Sequence, residues 1–217
     1  MNAGFTSALY MNTEVIVHPR LQHLGFTTGR VDEMVMWYRK VLGVRVIYRS
    51  ENPTGSPEAG FRPTAVWLTN DEANYRIAIV GISNFPSYDR HHPHARIQHA
   101  AFSFTTLDEL LGTFTRLSRL GITPVMAADE GAQTALYFQD PDGNTIELNA
   151  SNYGDPWTSA EHMTTSPDFA EKPMGVYIDP QQMIAMREQG AAPWELHERA
   201  WNGEFAPKTP YDYMAML

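Results

Sequence analysis

Three side chains have the types and surroundings to hold a metal ion: His23, His99 and Glu147. The histidines occupy the same place in two near copies of one another, RLQHLGFTT at residues 20–28 and RIQHAAFSFT at residues 96–105. Glu147 lies in YFQDPDGNTIELNA, residues 137–150. That stretch reads as a strand, a tight reversal and a second strand, because Pro141 fixes its own φ and Asp142-Gly143 supplies the geometry of a short turn. Side chains alternate faces along a strand, so Ile146 and Leu148 point one way and Glu147 the other. Taken alone, Glu147 would be the wet face of a hairpin. Taken with two matched histidines, it completes a donor set suited to a metal. The chain has no cysteine, so any metal must be held by imidazole and carboxylate.

These residues must be positioned by the elements around them. Residues 1–19 are weakly patterned and read as an arm, with His18 on the surface. A strand at 20–28 leads to a helix at 31–41, where Val31, Met34, Val35, Tyr38, Val41 and Leu42 recur at helical spacing and Gly43 supplies the stop. The pair Trp37-Tyr38 reads as helix-to-sheet packing. Strands follow at 44–48, 64–68 and 75–82, completing a first module over residues 20–84. FPSYDRHHPHA, residues 85–95, is the connection. The same order then returns over residues 96–151: a strand at 96–104, a helix at 107–120 capped by Thr105 or Thr106, and strands at 123–127, 134–139 and 144–150. VLGV at 41–44 answers RLGI at 119–122, so the chain reads as an internal duplication. Residues 152–217 form a tail of loop with helical pieces at 179–188 and 194–200. Its apolar residues, among them Met174, Val176, Tyr177, Ile178, Met183 and Leu196, imply packing on the body or on a neighbouring subunit. His162 and His197 lie in this tail without evident partners and read as surface residues.

Composition narrows the function classes. At 217 residues the chain is long enough to bury roughly 70% of its unfolded surface. Its 43% hydrophobic and 12% aromatic content is that of a folded domain. A formal net charge of -9 with no offsetting basic cluster argues against nucleic acid or an anionic membrane as partner. The N-terminus lacks a signal-peptide pattern, and no stretch approaches a membrane span. The expectation is a soluble cytoplasmic protein.

At the level of these motifs the sequence resembles the vicinal oxygen chelate superfamily of glyoxalases, bleomycin-resistance proteins and type I extradiol dioxygenases. The resemblance covers residues 20–151. It is nearest to single-domain extradiol ring-cleavage enzymes, through Leu136, Tyr137, Asp140, Pro141, Gly143 and Glu147, and through GVYIDPQQMIAMREQG in the tail. It implies an α+β fold of two βαβββ modules forming a cup-shaped mixed sheet, with Fe(2+), or alternatively Mn(2+), held by His23, His99 and Glu147. Three protein donors leave positions for a chelating substrate and oxygen. The strand of the first module that would supply a fourth ligand in a glyoxalase is YRIAIVGI, where Ile77, Ala78 and Ile79 offer none.

The sequence departs from the extradiol pattern at two places. Where a histidine usually precedes the last strand of the first module, it has Asn74-Tyr75. Where another usually stands ahead of the signature tyrosine, it has Glu130. Glu130 could act as a base if burial raised its pKa, and Tyr75 could donate a proton. Tyr137 matches the family residue that hydrogen-bonds the metal-bound oxygen of the substrate. The histidines of the connection, His91, His92 and His94, either fold over the pocket, with His92 as a substrate contact, or belong to a solvated loop. Trp37, Phe61, Trp67, Phe102 and Phe138 either line a cup for an aromatic or belong to the core.

The leading expectation is an iron(II) dioxygenase cleaving a catechol-like ring with O2. Two other readings stand beside it. One is a metalloenzyme of the same superfamily with isomerase, lyase or quinol- or phenol-oxygenase chemistry. The other is a binding or resistance protein for an aromatic ligand. The apolar tail and the size of the chain lead us to expect a homo-oligomer, a dimer or larger.

Overall fold

The computed structural model describes residues 20–50, 63–86 and 97–212. His18, Phe61, His91, His92 and His94 lie outside these residues. Two βαβββ modules follow one another. The first comprises β1 (Leu24–Thr28), α1 (Val31–Leu42), β2 (Arg45–Ser50), β3 (Thr64–Thr69) and β4 (Ile77–Gly81). The second comprises β5 (Ala100–Phe104), α2 (Leu107–Arg119), β6 (Met126–Asp129), β7 (Gln133–Gln139) and β8 (Thr145–Ser151). The tail adds α3 (Pro156–Thr165), α4 (Pro167–Glu171), β9 (Val176–Tyr177), α5 (Pro180–Glu188) and α6 (Pro193–Trp201). Among the described residues no helix is long and apolar enough to cross a membrane.

The helices form where apolar spacing and end signals agree. α1 buries Met34, Val35, Tyr38 and Val41 and ends at Gly43, whose φ of 65° suits a residue without Cβ. α2 opens on a capping box: Thr106 Oγ1 accepts from Glu109 N at 3.2 Å while Glu109 Oε2 accepts from Thr106 N at 3.1 Å. It buries Leu107, Leu110, Leu111, Phe114 and Leu117.

Each module makes a mixed sheet, ordered β1-β4-β3-β2 and β5-β8-β7-β6-β9. The helix crossover makes the first and last strands of each module parallel neighbours, and the hairpins pair antiparallel. The two registers superimpose the duplication residue by residue. Leu24 pairs with Ile77 and Gly25 with Ala78 in the first module; Ala100 pairs with Ile146 and Ala101 with Glu147 in the second. His23 and His99 therefore each stand one residue before the first paired position, and Ala78 occupies the place of Glu147. A methyl group cannot ligate, so the first module has no counterpart of that carboxylate.

One continuous core joins α1, α2, both sheets and the tail, with Tyr38, Leu110, Leu136, Phe138, Ile146, Ile178 and Leu196 all buried in it. Phe138 is core, and Trp37 and Phe102 pack partly buried against it. The tail thus packs on the body. Three details differ from the sequence reading. Hydrogen-bonded pairing starts at Leu24 and Ala100, later than the apolar pattern that begins at residues 20 and 96. β6 lies two to three residues further along than residues 123–127. The tail also contributes a strand, β9, which pairs with β6 and extends the second sheet.

Candidate metal and catalytic site

The site follows from the two faces of the second sheet. Leu136, Phe138, Ile146, Leu148 and Ala150 belong to the core on one face. Period-two alternation then turns Gln133, Ala135 and Tyr137 of β7, with Glu147 and Asn149 of β8, to the other. That face is not wet: Glu147 is only 2% exposed. A buried polar group must find partners, and these do. Ser103 Oγ donates to Asn149 Oδ1 at 2.6 Å, and Asn149 Nδ2 donates to Glu147 Oε1 at 2.6 Å. Gln133 Nε2 donates to Glu147 Oε1 at 2.8 Å and to Glu130 Oε2 at 3.0 Å. The Tyr137 hydroxyl donates to Glu130 Oε1 at 2.5 Å. His99 Nε2 stands 2.9 Å from Glu147 Oε2, with the His99 ring edge-on to Tyr137 at 5.6 Å.

Burial decides the electrostatics. The Glu130 carboxyl is pushed above the ordinary glutamate range by desolvation; the bonds from Tyr137 and Gln133 pull against this, and the nearby Glu147 charge adds to it. Desolvation, followed by the bond its hydroxyl donates to the Glu130 carboxylate, raises the Tyr137 phenol far above its usual value, so it stays protonated and serves as a donor. The site therefore holds an imidazole, two carboxylates bridged by one amide and a phenol donor.

The chemistry of this donor set fits a divalent metal. Two cis ligands about 2.1 Å from an octahedral ion stand about 3 Å apart, the separation of His99 Nε2 and Glu147 Oε2. The Gln98 carboxamide oxygen bonds His99 Nδ1, which turns Nε2 toward the carboxylate, and Gln22 bonds His23 Nδ1 in the same way. Among the described residues no three of His, Asp and Glu are grouped to hold a metal. His23 makes its contacts in the first module, with its ring 4.6 Å from that of Tyr75. His99, Glu147, Glu130 and Tyr137 are thus brought together, and His23 and Tyr75 form a second pair of their own. His92 lies outside the described residues.

Two cavities meet at His99. The larger, about 840 Å3, runs along the seam of the modules past Leu24, Phe26, Phe85, Ile97 and Ile146. Of the charged residues along it, Arg30 pairs with Asp142 at 3.1 Å and with Glu33 at 3.7 Å. The smaller, about 290 Å3, is lined by Gln98, His99, Met126, Glu130, Tyr137, Met174, Gly175 and Tyr177. His99, Glu130 and Tyr137 converge on the smaller one.

Sequence reasoning missed Gln133, although it lies four residues before Tyr137 on one strand and so must share its face. The tail histidines need correction. His197 is 6% exposed, with Nδ1 2.8 Å from Asp129 Oδ2. Asn152 Nδ2 donates to the same aspartate at 3.2 Å. Desolvation raises the Asp129 carboxyl despite its bond to His197. His162 is half-buried, its Nε2 shut from solvent. Both were hidden because their surroundings come from distant parts of the chain.

A duplicated βαβββ scaffold with an imidazole, carboxylates and a phenol on the buried polar face of its second sheet defines the class of protein. The chain belongs to the glyoxalase/bleomycin resistance protein/dioxygenase superfamily, whose profile matches residues 20–148. Biphenyl-2,3-diol 1,2-dioxygenase 3 from Rhodococcus globerulus is 31% identical over 85% of this chain and 90% of its own length. Biphenyl-2,3-diol 1,2-dioxygenase 2 from the same organism is 29% identical over 91% and 97%. Among solved structures, Leishmania major glyoxalase I aligns over 68% of this chain and 97% of its own, with a TM-score of 0.49 at 20% identity.

Proposed function

We propose that this chain is a metal-dependent dioxygenase of the extradiol type, cleaving the ring of a catechol-like diol with O2. The observation that carries the reading is the contact of His99 with Glu147, linked through Gln133 to the Glu130–Tyr137 pair across one cavity. Its two R. globerulus relatives are named for such a reaction. His23, His99 and Glu147 would hold iron(II), and manganese(II) accepts the same donors. When bound, the metal supplies a Lewis-acidic, redox-active centre for diol and oxygen.

The chain's own residues then have distinct tasks. Glu130, its carboxyl raised by burial, takes a phenolic proton from the diol and later returns it. Tyr137 turns its hydroxyl from Glu130 to the substrate oxygen beside the metal. Gln133 holds the two carboxylates apart and oriented. Tyr75, its ring tilted to that of His23 at 4.6 Å, would donate a proton on the first module's side.

The presence of Glu130 where a histidine is usual favours one alternative, an isomerase or lyase of the same superfamily that uses this carboxylate as its base. Protein loaded with iron(II) and given several catechols under air separates the two. A yellow ring-opened product, lost in Glu130→Gln with metal retained, supports the dioxygenase. Silence across all catechols transfers support to the isomerase or lyase.

A further inference from the structure

We infer that His197 and Asn152 of the tail are positioning residues for Glu130: by gripping Asp129 and the turn after it, they hold the proposed base at the cavity. The inference rests on the role given to Glu130 in the ring-cleavage reading and adds to it what fixes that carboxylate in place.

Glu130 differs from the other site residues in its support. Gln133, Tyr137 and Glu147 stand on paired strands, whereas Glu130 opens the three-residue connection between β6 and β7. A loop residue is held less firmly than a strand residue unless other groups fix it. Within the connection, Glu130 N donates to Gln133 O at 2.8 Å and Ala132 N to Glu130 O at 3.0 Å. Gly131 takes the left-handed φ of +80° that a three-residue reversal needs.

The tail takes up the remaining polar groups. Consecutive side chains turn to opposite sides, so Glu130 meets Tyr137 and Gln133 while Asp129 points back into the protein and is fully buried. Asp129 Oδ1 accepts from Gly131 N at 2.9 Å and from Asn152 Nδ2 at 3.2 Å, and His197 Nδ1 stands 2.8 Å from Oδ2. Asn152 grips the turn along its length. Its Nδ2 donates to Gly131 O at 3.0 Å, its backbone N to Ala132 O at 3.0 Å, and its Oδ1 accepts from Thr134 Oγ1 at 2.9 Å. Three tail helices close over the same turn. A Cβ on Gly131 would lie 3.1 Å from His162 Nε2 of α3 and from Phe169 Cδ2 of α4, and 3.3 Å from Trp201 Cη2 of α6. His197 is itself seated in α6, its ring 4.9 Å from that of Trp194. These bonds reach Glu130 through the backbone alone. What they set is where its carboxylate lies, and a displacement of about 1 Å can cost roughly a hundredfold in rate.

The test compares wild type, His197→Phe, His197→Asn, Asn152→Ala and a remote control, Trp157→Ala, which is 86% exposed. Phenylalanine keeps a ring and removes the nitrogen; asparagine returns an N–H near the place of Nδ1. With iron loaded and catechol as substrate, His197→Phe and Asn152→Ala should lose about tenfold or more in kcat with KM within about twofold, because the base moves and the seat of the diol does not. His197→Asn should recover most of that loss, and the control should match wild type. A second readout needs no turnover. The 13Cζ resonance of Tyr137, assigned with Tyr137→Phe on protein before iron is added, reports the bond its hydroxyl donates to Glu130. It should shift in His197→Phe and Asn152→Ala and return in His197→Asn. If no catechol is cleaved even by wild type, the ring-cleavage reading has failed, and the Tyr137 resonance alone decides the positioning. If His197→Phe does not fold, Asn152→Ala decides it. Variants of lowered melting temperature that keep the wild-type kcat and Tyr137 resonance overturn the inference, because the grip on the turn then serves stability alone.

Discussion

Replacing Gly175 by alanine tests how the tail is seated against the site. The added Cβ would lie 2.1 Å from Asp129 O, 2.6 Å from Glu130 Cα and 2.8 Å from the Asp129 carbonyl carbon. All three are backbone atoms, of β6 or of the residue that follows it, so no side chain can turn aside. β9 must leave β6, giving up its ladder bonds and the Ile178 N to Ala127 O bond. Backbone hydrogen bonds contribute about 1 kcal/mol each, and the left-handed conformation costs a non-glycine residue roughly 1–2 kcal/mol. Together these give a loss of about 3–4 kcal/mol, among the larger effects of a point substitution. Gly154→Ala is the matched control, because Gly154 has φ +74° and nothing within 4 Å of the added Cβ. It bears the backbone strain without the clash and should lose only about 1–2 kcal/mol. Urea unfolding midpoints at constant m measure both. Equal losses in the two variants would refute the close approach of tail and β6.

Other outcomes follow from the buried polar groups. Asp140 accepts bonds from Asp142 N, Asn144 and the Tyr38 hydroxyl, yet burial, its largest influence, raises its carboxyl above the ordinary aspartate range. The folded protein then binds that proton more firmly than the unfolded chain. The stability this contributes is full below the ordinary aspartate pKa of about 3.9 and is lost as pH rises through the raised folded value. The stability of wild type minus Asp140→Asn should therefore decline with rising pH from about 4; an increase would contradict the raised carboxyl. His197→Ala leaves the fully buried Asp129 without its imidazole, and should cost about 3 kcal/mol in thermal or urea unfolding. A loss under about 1 kcal/mol would show the pair to be dispensable. Gln133→Ala removes the amide between Glu130 and Glu147; turnover should fall about tenfold or more with the secondary structure intact, and an unchanged kcat would remove Gln133 from the site.

The fold was legible where one pattern serves one purpose. α1 and α2 each bury one stripe, and Gly43 and the Thr106–Glu109 box mark their ends in the sequence itself. Duplication made His23 and His99 conspicuous, because the same residue recurred in the same local pattern. The register then showed why Ala78 has no role matching Glu147. Legibility failed where short elements or distant partners decide the structure. β9 is two residues long and shows no period, and α3 and α4 bury no residue. Asp129 and His197 are 68 residues apart, and only the folded tail joins them. Glu147 faces away from Ile146 and Leu148 as strand alternation dictates, but its burial depends on His99 ahead of β5, Gln133 of β7 and Asn149 of β8, which no single stretch brings together.

The central claim is that His99 and Glu147, with His23, form a metal site. Elemental analysis of protein purified anaerobically, wild type beside His23→Ala, His99→Ala and Glu147→Ala, tests it most directly. The account predicts about one iron or manganese ion per chain in wild type, lost in all three variants while the fold is kept. Wild type that holds no metal after reconstitution with iron(II), or His99→Ala and Glu147→Ala variants that hold it as wild type does, would contradict the account.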